Sequence, residues 1–218
     1  MVTEYHPAGN LSKIIKGLHV KFIGGRLCLD FVNTVTGRDD SGAVLRDKIE
    51  RYEDLLGWSL LAGTIDEKRA RAMARVAARN ARNAAGVLLR ALRLREALFS
   101  IFKSAIDKHA PRAAATDVLR REISIARANQ YLAPRENGFI WKLSNSVDAL
   151  DNILWPVSLS AAELLTSGGL ARLGQCSGAD CRWLFLDMSR NHRRQWCDMQ
   201  DCGNRAKVRR FRERQQQA

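Results

Sequence analysis

Cys176-Ser-Gly-Ala-Asp-Cys181 and Cys197-Asp-Met-Gln-Asp-Cys202 are the two segments whose reading decides how this 218-residue chain ends. Each is a Cys-x4-Cys pair, and 15 residues lie between them. A tetrahedral metal site needs this pattern: each pair supplies two adjacent corners, and the insert folds back to bring the pairs together. Four of the five cysteines are spent here. Disulfides are the alternative use of paired thiols. Met1 to Asn10 lacks a basic region followed by an apolar run, and the chain has no apolar run long enough to span a bilayer. The expected compartment is therefore the reducing cytoplasm, where paired thiols favour metal over disulfide. Four thiolates around one Zn2+ leave no open position, so the site is expected to be structural, not catalytic. A module this small has little core, and metal binding should supply much of its folding free energy, on the order of 10 kcal/mol.

The residues between the pairs shape the module. Gly178 permits a tight knuckle between Cys176 and Cys181, and Trp183-Leu-Phe-Leu186 reads as a short strand. Ser189-Arg-Asn191 is turn chemistry, and Arg193 to Cys197 is expected to return as the partner strand, with Trp183 and Trp196 in the hairpin's core. Asn204 to about Gln215 reads as a helix whose first turn carries Cys202, where the helix dipole would stabilise the thiolate. Knuckle, hairpin and helix make a treble-clef-like zinc finger over residues 173–218.

The formal charge of +13 and the pI near 10.1 make a polyanion the first partner to consider, DNA above all. Arg205, Arg209 and Arg212 fall on one helical face, with Lys207, Arg210 and Arg214 around it, leaving Val208 and Phe211 to pack inward. Arg190, Arg193 and Arg194 form a second basic cluster at the hairpin tip. Guanidinium groups bind phosphate bidentately and read guanine edges, so both clusters suit a duplex. The competing reading is a solvated helix that caps the metal site, with Arg205 bonded to backbone.

Residues 1–172 read as a mainly α domain with a small β-hairpin. Gly24-Gly25 permits a turn, after which Leu27, Cys28, Phe31, Val32 and Val35 fall at helical spacing. Asp30 and Asn33 interrupt that helix with short polar side chains. They either bond backbone and lock the segment or form the wall of a small-ligand pocket. Gly37 to Gly42 reads as a polar turn. Helices are expected from about Tyr52 to Gly63, from a capping box at Thr64 to about Arg79, from Val87 to Ile106 and from Ala113 to Asn129. A break falls around Asn80 to Gly86. Gln130–Ala133 and Phe139–Leu143 flank turn residues and read as a hairpin. A last helix starts near Ser146, breaks at Pro156, restarts at a capping box on Ser160 and ends at Gly168-Gly169. No phosphate loop, His-Glu metal helix or nucleophile motif is present, and His6, His19, His109 and His192 are scattered, so an enzyme is not expected. Cys28 reads as a small buried hydrophobe.

The run Cys181-Arg-Trp-Leu-Phe-Leu-Asp187, with Ser189-Arg-Asn191, Arg193-Arg194, Trp196-Cys197, Met199 and Cys202-Gly-Asn-Arg205, resembles the CGNR zinc finger. Gly24-Gly25 followed by Leu29-Asp-Phe31 and Asn33-Thr34 resembles the start of the ABATE domain that usually precedes that finger. The resemblance implies a helical N-terminal domain, a C-terminal zinc finger with Cys176, Cys181, Cys197 and Cys202 as ligands, and a role as a bacterial stress-induced transcription regulator. The helical domain would then sense a small-molecule effector or form a homodimer. The alternative is a protein-interaction module in which zinc only braces the fold.

Overall fold

The computed structural model describes residues 17–38, 44–178 and 180–216. Of the turn expected at Gly37 to Gly42, residues 39–42 lie outside them, and Gly37 and Arg38 end a strand. The fold is mainly α, with small antiparallel hairpins and the cysteine cluster at its C-terminal end.

The centre of the helical part is α4 (Ala81–Ile106), whose Val87, Ala91, Leu94, Leu98 and Phe102 are buried at helical spacing. It packs against α1 (Leu27–Val32), α2 (Tyr52–Leu61), α3 (Glu67–Arg79) and α5 (Ala113–Ala128). The break before α4 is sharp: Asn80 caps it, its side chain accepting from the Asn83 N–H at 3.1 Å, and the helix then runs through Gly86. The cap of α3 is Asp66, which accepts from the Arg69 N–H at 2.8 Å; Thr64, the expected cap, instead donates its hydroxyl to Ser59 O. The carboxylate reaches its donor from two residues nearer the helix.

Two expectations for the last helix of this part are corrected. Leu150–Ile153 is a single 3-10 turn, and α6 (Trp155–Thr166) carries Pro156 in its first turn and runs unbroken. Proline at the start of a helix costs nothing, because the missing N–H has no intrahelical acceptor there. Ser160 is mid-helix, and its Oγ accepts from the Cys28 N–H, tying α6 to α1. Gly168, with φ +71°, closes α6 as expected.

The helix around Cys28 stops at Val32. Val35 opens a strand, β1 (Val35–Arg38), paired antiparallel with β2 (Val44–Asp47), a hairpin that the helical spacing of Val35 concealed. Gly37 sits in β1 with φ +69°, and an added Cβ there would fall 2.5 Å from Leu45. Arg95 on α4 reaches this hairpin, pairing with Asp47 and donating to Thr34 Oγ1, while Arg38 pairs with Glu96. On the far side of α4, Arg90 joins Glu122 of α5 and Asp151 at 2.8 and 3.0 Å. The hairpin of β3 (Gln130–Arg135) and β4 (Gly138–Leu143) forms as expected and continues through Pro134.

One strand carries the finger into the helical core. β6 (Leu184–Leu186) pairs with β5 (Leu173–Gln175), not with residues 193–197, which form no strand. The knuckle is thus the tip of a hairpin whose arms lie on either side of it. Successive β6 side chains face opposite ways. Leu184 and Leu186 enter the helical core, while Phe185 packs with Trp183 and the four cysteines. All three are buried, so a three-residue strand serves two cores.

Candidate metal centre and the helix it anchors

The four sulfurs of Cys176, Cys181, Cys197 and Cys202 lie within 4.8 Å of one another, and all four residues are buried. Cys181 to Cys197 and Cys197 to Cys202 are each 3.5 Å apart. A tetrahedron with Zn–S bonds of about 2.3 Å has sulfur–sulfur edges of roughly 3.8 Å, so the donor set fits one Zn2+. A disulfide needs about 2.0 Å. In the absence of a cation, four sulfurs this close cannot all ionise. Hydrogen bonds from Cys181 and Cys197 push the Cys176 thiol far down, and the same sharing pushes Cys181 and Cys197 up. A divalent cation removes that conflict, since it binds thiolates.

Local structure builds the cluster. The Cys176 N–H donates to Trp183 O at 2.8 Å and the Cys181 N–H to Gly178 O at 3.1 Å, closing the knuckle. A Cβ on Gly178 would sit 3.2 Å from the Cys181 Cβ and 3.5 Å from the sulfurs of Cys176 and Cys202. A side chain at this position would meet the sulfurs in ordinary contact but would press on the Cys181 Cβ, displacing it slightly. Of the second pair, Cys197 precedes a π-helical turn, Met199–Gly203, and Cys202 lies within it; the turn runs directly into α7 (Asn204–Gln216). Asp198 caps that turn, accepting from the Gln200 N–H at 2.8 Å. Arg205, in the first turn of α7, donates to Cys202 Sγ at 3.3 Å and pairs with Asp201 at 3.0 Å.

The basic residues divide. Arg194 is turned inward: its guanidinium stacks on Phe185 at 4.3 Å and donates to the carbonyls of Trp196, Leu186, Ile23 and Cys197. It holds an irregular segment in the place where a strand was expected. Arg205 braces the thiolate of Cys202. Arg190 and Arg193 lie exposed in the loop after β6. On α7 only Ala206 is buried, and Lys207, Arg209, Arg210 and Arg212 are all exposed. Val208 and Phe211, expected to pack inward, are 50% and 56% exposed. The helix leaves the cluster along a line that gives them no core to enter. Trp183 is buried, with its Nε1 donating to Val35 O, and Trp196 packs against the cysteine cluster.

Asp30 and Asn33 lie in the core and spend their polar atoms on backbone. Asp30 Oδ1 accepts from the Gly24 N–H at 2.8 Å. Asn33 donates from Nδ2 to Leu184 O and accepts from the Leu184 N–H on Oδ1, both at 2.8 Å. The Leu186 N–H donates to Gly24 O, and the Gly37 N–H to Cys181 O, so the α1 region grips β6 and the knuckle along their length. Burial pushes the Asp30 carboxyl up to about 6, against the hydrogen bonds from Gly24 and Ile23. Burial also pushes the Cys28 thiol up to about 12, in keeping with a packing role.

Two contributors escaped the sequence reading. Lys21 bridges Asp198 and Asp201 at 3.3 Å, tying the segment before α1 to the π-turn. Asp187 accepts from the N–H groups of Ser189 and Arg194, shaping the loop that carries Arg190 and Arg193. An Asp preceding a Ser-Arg-Asn turn was a signal that could have found it; nothing near Lys21 marks its partners.

Comparison with known families agrees with this layout. Residues 25–168 match the ABATE model, described as "Putative stress-induced transcription regulator", and residues 172–215 match the CGNR zinc finger. No curated protein matches the chain.

Proposed function

The chain belongs to the ABATE family and ends in a CGNR zinc finger, and on that premise we propose that it is a transcription regulator that binds duplex DNA through the helix anchored on its zinc site. The observation that carries this reading is α7: five cations (Lys207, Arg209, Arg210, Arg212 and Arg214) on one exposed helix whose root is fixed by four cysteines and Arg205. Zinc would be held by Cys176, Cys181, Cys197 and Cys202 and would supply rigidity, with no position left for substrate. Arg205 then orients the first turn through the Cys202 sulfur, so that the helix leaves the metal in a fixed direction. Arg190 and Arg193 add contacts from the neighbouring loop. Residues 173–218 are the DNA-binding unit and residues 1–172 its platform, working in the cytoplasm, where thiolate sites stay reduced. Among the described residues no helix is long and apolar enough to cross a membrane.

A second role for the platform is favoured by the β3–β4 hairpin. Leu132, Trp141 and Phe139 share its outer face and are each more than half exposed. An apolar face of this kind suits association, and a second copy of the chain is the partner that a two-half-site operator would require.

The test is fluorescence anisotropy of the full zinc-loaded chain on duplex DNA across a salt series. Arg209→Ala and Arg193→Ala are each expected to weaken binding and to reduce the slope of log K against log salt by about 1. Unchanged affinity and slope in both variants, or no binding at low salt, would overturn the reading.

A further inference from the structure

On the wheel of α7, Val208 and Phe211 are one turn apart and form an exposed apolar ridge. Lys207, Arg210 and Arg214 run along one side of that ridge, and Arg209 and Arg212 along the other, above the root at Arg205. The buried Ala206 is on the opposite face. The helix therefore presents a narrow apolar line with a cationic stripe on each flank.

We propose that Val208 and Phe211 are the base-reading residues of this protein, lying on the floor of a DNA major groove against thymine methyl groups, while the flanking cations hold the two phosphate walls. The inference rests on the DNA-binding reading above and assigns its parts: specificity to the apolar ridge, affinity to the arginines. The shape argues for this occupant. The major groove is about 12 Å wide and a helix with its side chains about 10–12 Å across, so one helix fills it with both flanks against phosphate. At 13 residues, α7 is about 20 Å long, enough to follow the groove over several base pairs. A protein groove that took the ridge would desolvate cations on both sides at once. A helix lying on a membrane carries a broad apolar face and keeps its cations on the other side, whereas here the apolar line is two residues long. A major groove offers two anionic walls with methyl groups between them. Both side chains already stand in solvent, so covering them on binding removes an exposure that folding leaves in place.

The experiment compares two duplexes identical except that deoxyuridine replaces thymidine, which deletes only the C5 methyl. Full-length zinc-loaded protein is titrated by anisotropy over a salt series, with zinc content and circular dichroism verifying each variant. Wild type is expected to prefer the thymine duplex by about fourfold for each methyl contacted. The double variant Val208→Ser/Phe211→Ser is expected to bind both duplexes equally with its salt slope unchanged. Arg212→Ala is expected to lower the slope and keep the preference. Equal binding of both duplexes by wild type, or a thymine preference that survives in the double variant, overturns the assignment and leaves DNA binding standing. Failure of wild type to bind any duplex at low salt overturns the function reading itself. A third arm uses phosphatidylglycerol vesicles: loss of vesicle binding in the double variant, with duplex affinity unchanged, would make the ridge a lipid contact and overturn the assignment.

Discussion

Asn33 pairs both ends of its amide with the backbone of Leu184, 151 residues away in sequence, inside the protein. Removing it leaves a buried N–H and a buried C=O without partners, which costs about 2–4 kcal/mol. Asn33→Ala is accordingly expected to lower stability to chemical denaturation by that amount and to speed zinc transfer to a chromogenic chelator. Faster transfer is the sharper sign, because it reports on β6 specifically. Asp30 has a different signature. Its folded-state pKa is near 6, above the ordinary 3.8 of a free carboxyl, so the protonated form is the one folding prefers. The penalty of burying its charge is absent below about pH 4, accumulates between pH 4 and 6 and is complete above that. The stability difference between wild type and Asp30→Asn should therefore move by about 2–3 kcal/mol in the variant's favour between pH 4 and pH 7. Taking the difference cancels any acid lability of the zinc site, which both proteins share.

Elements in this chain form where local signals and packing agree, and shift where packing overrules. The apolar spacing of α4 and the turn residues of the β3–β4 hairpin were legible directly. Val35 kept the helical spacing of α1 yet became a strand, because β2 offers a ladder and Cys181 O takes the Gly37 N–H. Residues 193–197 had strand-like composition, but Arg194 captures the carbonyls that a strand would have paired. In α4, Gly86 is helical and exposed, and a Cβ there would meet nothing within 4 Å. Gly86→Ala is thus expected to stabilise the protein by about 0.5–1 kcal/mol, read as a raised midpoint in thermal unfolding, because alanine loses less backbone entropy. A lowered midpoint would mean that the position has a partner in solution.

At the scale of the whole molecule, β6 makes the finger and the helices one structure. Leu184 and Leu186 sit in the helical core, Phe185 sits with the cysteines, and Asn33, Gly24 and Gly37 hold the strand and knuckle by hydrogen bonds. Zinc bound to the four cysteines should therefore stabilise residues far from it. Stripping the metal with a chelator is expected to lower the melting temperature followed by helical circular dichroism by about 10 °C or more. Loss of two buried leucines costs several kcal/mol, and each kcal/mol shifts a domain of this size by about 2–4 °C. If the helical signal melted at the same temperature with and without metal, the two parts would be independent.

The metal site could be read along the chain, because four thiols at Cys-x4-Cys spacing are a local pattern with a local chemistry. Most helices were readable in the same way, because the period of apolar residues is followed along one segment at a time, and so were the cations of α7. Tertiary structure alone decided what those segments face. Asp30 and Asn33 were either backbone locks or a pocket wall until Gly24 and Leu184 came within hydrogen-bond reach. Arg194 belonged to the basic cluster until Phe185 and four carbonyls enclosed it. Val208 and Phe211 looked like core until α7 left the cysteine cluster with no core beside it. For Asn33 the deciding partner is 151 residues away, and for Val208 and Phe211 it is solvent. For Asp30 and Arg194 most partners are near in sequence, and the path that packing gives the intervening backbone brings them within reach.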